Sequence, residues 1–214
     1  NFDILCIGDA HIPDRESRIP IQIAKKLKRI KANHPQSQFD RAYYTGDFTD
    51  SNQLYQLLSE SLGGNVDKLK IVEGNMDRFH SPRGNVRKIA RPEKILESLS
   101  FDGKKFKISV FHGHRVRPRG DHNKLLQKTK ALNARLCLTG HTHAHDIKLL
   151  DQKHLLINPG SCTGAWSFLA TKTPSFVHIK LTKRPQAKLY WLLIHIDLHV
   201  LRGSQIITQK HTYE

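Results

Sequence analysis

Five apolar segments of the chain end in a glycine beside a side chain that can bind a metal ion. Carboxylate, amide oxygen and imidazole together suit a first-row transition ion. A pair of such ions about 3.5–4 Å apart needs a shared carboxylate, and Asp47, central in the series, is the natural bridging candidate. In chain order the candidate ligands are Asp9, His11, Asp47, Asn75, His112, His141 and His143.

Each of these motifs has an ordinary explanation when taken singly. An Asp-x-His at the end of a strand is usually a cap or a turn, and Gly46-Asp47 and Gly74-Asn75 are typical of turns. Alternate histidines, as in HTHAH from His141, also occur on exposed strand faces. The occurrence of all five motifs in this order indicates a metal centre, or a site that has evolved from one.

The elements that must position these residues alternate between strands and helices. Buried strands are predicted over FDILCIG, RAYYTG, LKIVEG, KISVFHG and ARLCLTG. An amphipathic helix is predicted over 17–31, and two others end near Leu62 and Leu132. After Gly140 strands and turns follow one another, and Gly203 lies in a predicted turn. This pattern favours one layered α/β domain over 1–214, in which the carboxyl ends of strands meet in one crevice.

Composition restricts the classes of protein to which the chain can belong. No run approaches the roughly 18 apolar residues of a membrane span, and the first residues lack the pattern of a signal peptide. Cys6, Cys137 and Cys162 are expected to be buried thiols in a reducing compartment. A cytoplasmic protein is therefore expected. The net charge of +16 indicates an acidic partner or simply a solvated basic surface; nucleic acid is the weaker alternative, because no aromatic-basic motif accompanies the charge.

The ordered motifs DxH, GD, GN, H and GHxH resemble the calcineurin-like metallophosphoesterase superfamily, over a region that extends to about Leu181. The resemblance implies a β-sandwich flanked by helices, with four layers in the order α/β/β/α. It also implies two divalent ions, with Mn, Zn and Mg as the alternatives. One ion would be bound by Asp9, His11, Asp47 and His143, and the other by Asp47, Asn75, His112 and His141.

Longer motifs resemble a narrower group, the phosphoesterase-fold subunits of retromer in vacuolar protein sorting. They are GDAHIPDRESRIP, HGHRVRPRGD, and INPGSCTGAW followed by TPSFVHIKL. The resemblance implies a scaffold that binds a helical-solenoid retromer subunit and other retromer components. Such a scaffold serves endosome-to-Golgi protein transport and is associated with endosomal membranes peripherally, through the complex.

The chain departs from the enzymatic pattern directly after Asn75. Active members of the superfamily commonly have a histidine there, whereas this chain has Met76, which cannot donate a proton. Loss of a general acid lowers a rate by about 10²–10⁴-fold. His114 and Asp77 are the candidates to replace it. Weak or absent phosphoesterase activity is therefore expected, and an active phosphodiesterase or phosphatase is the alternative.

The expected partner surface also departs from the retromer pattern. Where relatives have apolar residues after HGH, this chain has Arg115, Arg117 and Arg119. These arginines indicate a partner with acidic groups, an altered docking mode, or side chains that point to solvent. Trp166 and Trp191 are expected to be buried in the core, since large aromatic side chains gain most from burial. An exposed apolar patch for a peptide ligand is the alternative.

Overall fold

The fold was analysed in a computed structural model of the chain. It describes residues 1–33, 38–49, 52–77, 90–91, 94–184 and 191–214. Among these residues, no helix combines the length and apolar character needed to cross a membrane.

The described helices are short and amphipathic. In α1, Ile21–Ala32, the buried Ile23 and Leu27 lie one turn apart while lysines and an arginine cover the remaining surface. Helix α2 spans Asn52–Ser61, and α3 spans His122–Ala131. Asp121 caps α3 by accepting a hydrogen bond from the backbone N–H of Lys124. Helices α2 and α3 occur where the sequence predicts them, whereas α1 begins at Ile21, four residues after the predicted start at 17.

Twelve strands in the described ranges form two sheets. They are β1 (Phe2–Ile7), β2 (Arg41–Tyr44), β3 (Leu69–Val72), β4 (Ala90–Arg91), β5 (Lys94–Phe101), β6 (Lys104–Phe111), β7 (Leu136–Thr139), β8 (His145–Leu149), β9 (Leu155–Pro159), β10 (Ser175–Lys183), β11 (Leu192–Arg202) and β12 (Gln205–Tyr213). The first sheet has the order β12-β11-β10-β1-β2-β3-β4, and the second has the order β5-β6-β7-β9-β8. Within them, β1 to β4 are parallel, and β6, β7 and β9 are parallel.

The core is divided into layers by the two sheets. One apolar cluster lies between the sheets and includes Ile4, Tyr43 and Ile108. A second packs α1 and α2 against the other face of the seven-stranded sheet, and a third packs α3 against the five-stranded sheet. This is the predicted α/β/β/α arrangement, and it places the ends of both parallel sets at one edge of the molecule.

One detail differs from the predicted strands. The sequence predicts that one strand ends at Ile196 and another begins at Leu198. In the structure, a single strand, β11, continues without interruption from Leu192 to Arg202. Asp197 lies inside this strand on the face away from the inter-sheet core, so its polarity does not end the strand. The turn at Gly203 is confirmed, since it connects β11 to β12 with a backbone φ of 58°.

Candidate metal centre

The seven predicted ligands lie in loops that directly follow parallel strands of both sheets. Asp9 and His11 follow β1, and Asp47 follows β2. Asn75 comes after β3, while the remaining three residues come from the five-stranded sheet, His112 after β6 and His141 and His143 after β7. The structure thus brings all seven to the same edge, where the two sheets meet.

A first group of four side chains surrounds a common point. Donor atoms of Asp9, His11, Asp47 and His143 all lie within 4.8 Å of one another, and all four residues are buried. His11 Nε2 is 3.1 Å from His143 Nε2 and 3.2 Å from Asp47 Oδ2, and His143 Nε2 is 3.5 Å from Asp9 Oδ1. Ligands about 2.1 Å from one tetrahedral ion are separated by roughly 3.4 Å. The observed spacing suits such an ion.

A second group shares Asp47 with the first. Donors of Asp47, His112 and His141 lie within 4.8 Å of one another. His112 Nε2 is 3.3 Å from Asp47 Oδ2 and 3.2 Å from Asn75 Oδ1. The same oxygen, Asp47 Oδ2, therefore faces imidazoles of both groups, as a bridging ligand would.

Hydrogen bonds to backbone carbonyls orient two of the imidazoles. His143 Nδ1 donates to the carbonyl oxygen of Ala165, and His112 Nδ1 donates to that of Thr45, each over 2.8 Å. Both bonds leave Nε2 facing the cluster. A metal-binding histidine usually donates its other ring N–H to a carbonyl or carboxylate in this way.

The backbone takes an unusual conformation at most of these positions. A positive φ is uncommon for residues other than glycine and costs about 1–3 kcal/mol in free energy. Such strain is typical of functional sites, where alternate residues must turn toward one point. It occurs, with φ between 49° and 70°, at Asp9, His11, Asp47, His141 and His143.

The glycines that precede the ligands are required for space. A Cβ on Gly74 would lie 1.9 Å from Asp47 Oδ1, and one on Gly140 would lie 2.6 Å from Asp9 Oδ2. Both distances are far below van der Waals contact. Gly74 and Gly140 therefore each let a carboxylate from a neighbouring loop approach the backbone.

The charge states of His141, His143 and Asp47 suit cation binding, whereas His112 must lose a proton before it can coordinate an ion. Burial lowers the pKa of His141 to about 3 and that of His143 to about 4, so both imidazoles are neutral, as metal ligands must be. Burial also acts on Asp47 and His112, but their mutual attraction prevails. It holds the pKa of Asp47 well below its usual range and raises that of His112 to about 9. Asp47 therefore carries a buried negative charge.

The residues fit a pair of divalent cations. Among the described residues, Nε2 of His141 is buried without a hydrogen-bond partner, an arrangement that costs free energy unless something binds there. The donors include two carboxylates, an amide oxygen and four imidazoles, a mixture that suits borderline ions such as Zn²⁺ and Mn²⁺.

The segment over 158–163, which the sequence did not assign to the site, makes hydrogen bonds to the backbone of the loops that carry the ligands. Asn158 Nδ2 donates to the carbonyl oxygen of Gly140 and to Thr142 Oγ1. Ser161 Oγ donates to the carbonyl oxygen of Asp9 over 2.7 Å, and Thr163 Oγ1 donates to that of Ala10 over 2.9 Å. Strand β9 also ends in an apolar run followed by Asn and a glycine. This is the pattern used for the other strands, and it could have identified this segment.

Asp77 and His114, the candidate replacements for the missing acid, occupy different environments. The Asp77 carboxylate is buried and accepts hydrogen bonds from the backbone N–H groups of Asp47, Thr49 and Gly74, at 2.8–3.0 Å. These are the contacts of a positioning residue, and burial raises its pKa. The His114 ring lies at the margin, with its centroid 5.5 Å from that of His112.

Met76 and His145 do not supply side-chain donors to the two groups. Met76 contributes its backbone N–H, which donates to Asp47 Oδ1 over 2.8 Å. His145 begins β8 and lies in neither group of potential ligands. The alternation of histidines in HTHAH therefore extends one residue beyond the site.

An exposed apolar cluster lies beside the centre, and it corrects one prediction. Trp166 is 50% exposed, Phe168 82% and Leu169 50%, so the expected burial of Trp166 is wrong. Their loop is tied to the centre, since Ser167 Oγ donates to the carbonyl oxygen of Thr142. Trp191, by contrast, packs against the inter-sheet core as predicted.

The arginine-rich loop contacts this cluster. The Arg119 guanidinium lies 5.8 Å from the centroid of the Phe168 ring, within range of a cation–π interaction. Arg115 and Arg117 are exposed. The rim of the centre is thus both apolar and basic.

Comparisons with known proteins agree with this geometry. Residues 2–184 match the calcineurin-like phosphoesterase superfamily domain. A probable metallophosphoesterase of Methanothermobacter thermautotrophicus is 32% identical over 157 residues, which cover 73% of this chain and 75% of that protein. Vacuolar protein sorting-associated protein 29 (Vps29) of Saccharomyces cerevisiae is 28% identical over 168 residues, or 77% of this chain but only 56% of the yeast protein's length.

Solved structures share the fold at low sequence identity. Vps29 of Cryptosporidium parvum superposes with a TM-score of 0.78 at 24% identity, covering 100% of this chain and 99% of that one. Vps29 of Entamoeba histolytica, solved in complex with Zn²⁺, gives a TM-score of 0.70 at 23% identity and covers 98% of both chains. These similarities extend the shared fold to the strands after residue 184.

Proposed function

The chain belongs to the calcineurin-like phosphoesterase superfamily, and from that premise we propose that it is a retromer-type sorting subunit. In this role it is a metal-binding scaffold of endosome-to-Golgi retrograde transport, cytoplasmic and peripheral on endosomal membranes. The similarity to yeast Vps29 and the longer sequence motifs support the proposal. We treat residues 1–214 as one domain in that role.

The observation that carries the proposal is the exposed cluster of Trp166, Phe168 and Leu169. Apolar side chains grouped on a surface and bordered by polar residues are typical of protein–protein interfaces. The Ser167–Thr142 hydrogen bond holds the loop of this cluster beside the metal centre, so a partner bound to the cluster would lie next to the centre.

The proposed partner is the helical-solenoid retromer subunit, with other retromer components bound through it. Phe168, the most exposed large apolar side chain among the described residues, would enter an apolar groove between solenoid helices. Arg117 and Arg119 would face acidic side chains at the border of that groove. Such charges mainly direct association and orientation.

Binding to the purified solenoid subunit of the same organism tests the scaffold function. Phe168→Ser is expected to weaken binding at least tenfold, and Ile207→Ser is the matched control, because Ile207 is a 44% exposed apolar residue on β12, outside the cluster. Absence of binding by the unaltered chain at micromolar concentration, or an equal loss in both variants, contradicts the proposal.

We also propose two divalent ions at the centre, with Mn, Zn and Mg as the alternatives. The first is assigned to Asp9, His11, Asp47 and His143, and the second to Asp47, Asn75, His112 and His141. When bound, such ions lower the pKa of a bridging water and polarise phosphate oxygens. The chain's own contribution is to hold the neutral imidazoles of His141 and His143 and the charged carboxylate of Asp47 in a water-poor pocket.

Turnover of a phosphodiester or phosphomonoester is the second candidate function, favoured by the complete donor set around Asp47 Oδ2. Met76 opposes it, because a thioether cannot protonate a leaving oxygen. The Asp77 carboxylate already accepts hydrogen bonds from three backbone N–H groups. We therefore expect weak or absent activity.

An assay with aryl phosphodiester and monoester substrates and added Mn²⁺ separates the two functions. Turnover that disappears in Asp47→Ala supports the enzymatic alternative. Absence of turnover, in protein that elemental analysis shows to bind metal stoichiometrically, supports the scaffold function.

A further inference from the structure

We infer that a second, separate metal site lies on the helix-facing side of the seven-stranded sheet, where His178, Asp197 and His199 converge. One donor atom of each residue lies within 4.8 Å of the other two. Two imidazoles and a carboxylate form a ligand set that binds Zn²⁺. The site shares no residue with the candidate metal centre and does not depend on the function proposed for it.

The strand register brings the three side chains together. His178 of β10 lies directly opposite Asp197 of β11, and His199 is two residues further along the same strand. Since side chains alternate between faces, all three project from one face, while Ile179 and Leu198 project into the core between the sheets.

Aromatic packing fixes the orientation of both imidazoles. The Phe39 ring meets His178 edge-on at 5.3 Å between centroids, and the Phe176 ring packs against His199 at 4.7 Å. Both histidines are buried, at 5% and 2% exposure. Ligands that are held in place before the metal arrives lose little conformational entropy on binding it.

His199 carries a nitrogen that nothing in the described part of the chain satisfies. Its Nδ1 is 2.8 Å from Thr208 Oγ1, whereas its Nε2 is buried without a hydrogen-bond partner. A buried polar atom left in this state costs about 1–3 kcal/mol. Coordination of a metal ion would supply the missing partner.

The surrounding charge and space are compatible with a cation. Asp3 Oδ1 is 2.6 Å from His178 Nε2, and a carboxylate beside a metal-binding imidazole is the usual companion of such a ligand. Asp3, His178 and Asp197 border a cavity of about 400 Å³, which gives an ion access from solvent. Lys26 and His178 act on His199 with positive charge, and Lys180 borders the same cavity as the carboxylates of Asp3 and Asp197.

Zinc binding to the full chain tests the inference, with the metal alone as probe. Elemental analysis after equilibration with Zn²⁺ is expected to find one ion fewer per chain in His199→Gln and in Asp197→Asn than in the unaltered protein. Both variants should also lose part of the zinc-dependent rise in thermal midpoint. In zinc-soaked crystals, anomalous density is expected about 2.0–2.1 Å from His199 Nε2.

His195→Gln is the matched control. His195 lies on the same strand and has the same kind of contact, 3.1 Å from Nδ1 to Thr212 Oγ1, but it lies outside the cluster. Equal zinc content in all variants, an equal loss in His195→Gln, or no density at His199 overturns the inference. Asp197 is only partly buried, so Asp197→Asn still decides the question if His199→Gln does not fold. If Asp47→Ala loses zinc from the candidate metal centre but still binds zinc at His178, Asp197 and His199, the two sites are separate.

Discussion

Replacing Gly74 with alanine should remove metal binding through a steric conflict with Asp47. The added Cβ would lie 1.9 Å from Asp47 Oδ1 and 2.4 Å from its backbone nitrogen. Rotation of the Asp47 side chain cannot relieve the second contact. Because real Cβ atoms essentially never approach closer than 3.0 Å, the Asp47 backbone must move by at least about 0.6 Å and its Oδ1 by at least about 1.1 Å. Gly74 does not have a positive φ, so the alanine adds no conformational strain of its own.

The expected magnitude follows from that displacement. A shift of about 1 Å in a positioned group can cost roughly 10²-fold, and disturbing the partners of metal ligands typically costs 10–100-fold in affinity. We expect Gly74→Ala to bind Zn²⁺ about 100-fold more weakly, which corresponds to about 2.8 kcal/mol. Competition with a chromophoric chelator measures the affinity, and circular dichroism verifies the fold.

Gly203→Ala provides the control for this experiment. Gly203 lies in the β11–β12 turn, with φ of 58°, and no described neighbour lies within 4 Å of the place that a Cβ would occupy. Its replacement should lower stability by about 1–2 kcal/mol and leave zinc affinity unchanged. A folded Gly74→Ala protein with undiminished affinity would refute the assignment of Asp47 as a ligand. An equal loss in Gly203→Ala would show that affinity follows global stability instead.

Three further predictions concern stability. Asn158→Ala should lower the free energy of unfolding by about 2 kcal/mol in urea denaturation, because buried partners of its amide are left unsatisfied. Chelation of bound metal should lower the thermal midpoint by about 5–10 °C relative to protein in zinc at 100 times Kd, and restored zinc should reverse the change. At Asp151 burial raises the pKa, but hydrogen bonds from Lys130 and His154 prevail and hold it below its usual range. The stabilisation from that carboxylate is therefore present above the unfolded-state pKa of about 3.9 and is lost as pH falls below it. Asp151→Asn should be less stable than the unaltered chain at pH 7, and denaturation at pH 3 and below should find the difference reduced.

Local patterns in the sequence predicted a layered α/β domain and the seven candidate ligands, whereas the order of the four layers came from the family resemblance. Apolar runs that end in glycine beside Asp, Asn or His mark strand ends, and parallel strands bring those ends together. The glycine at position 140 has a reason that becomes visible only in three dimensions, namely the Asp9 carboxylate that approaches its backbone.

The supporting contacts and the surface could not be predicted in the same way. Ser161 reaches the carbonyl oxygen of Asp9 across 152 residues of chain, and such a bond leaves no periodic signal in the sequence. Trp166 was expected in the core because of its large apolar area, yet its loop lies at the rim of the centre, where no described strand or helix covers it. Strand β5 alternates between exposed and partly buried residues and was not recognised as a strand.

The division of the candidate ligands between two sheets has a mechanical consequence. Asp9, His11, Asp47 and Asn75 extend from one sheet, and His112, His141 and His143 extend from the other. Neither layer can then separate from its neighbour while ions remain coordinated by both. Local opening in one half of the sandwich becomes thermodynamically linked to opening in the other. Metal occupancy would thus determine whether the two halves exchange amide hydrogens independently or together.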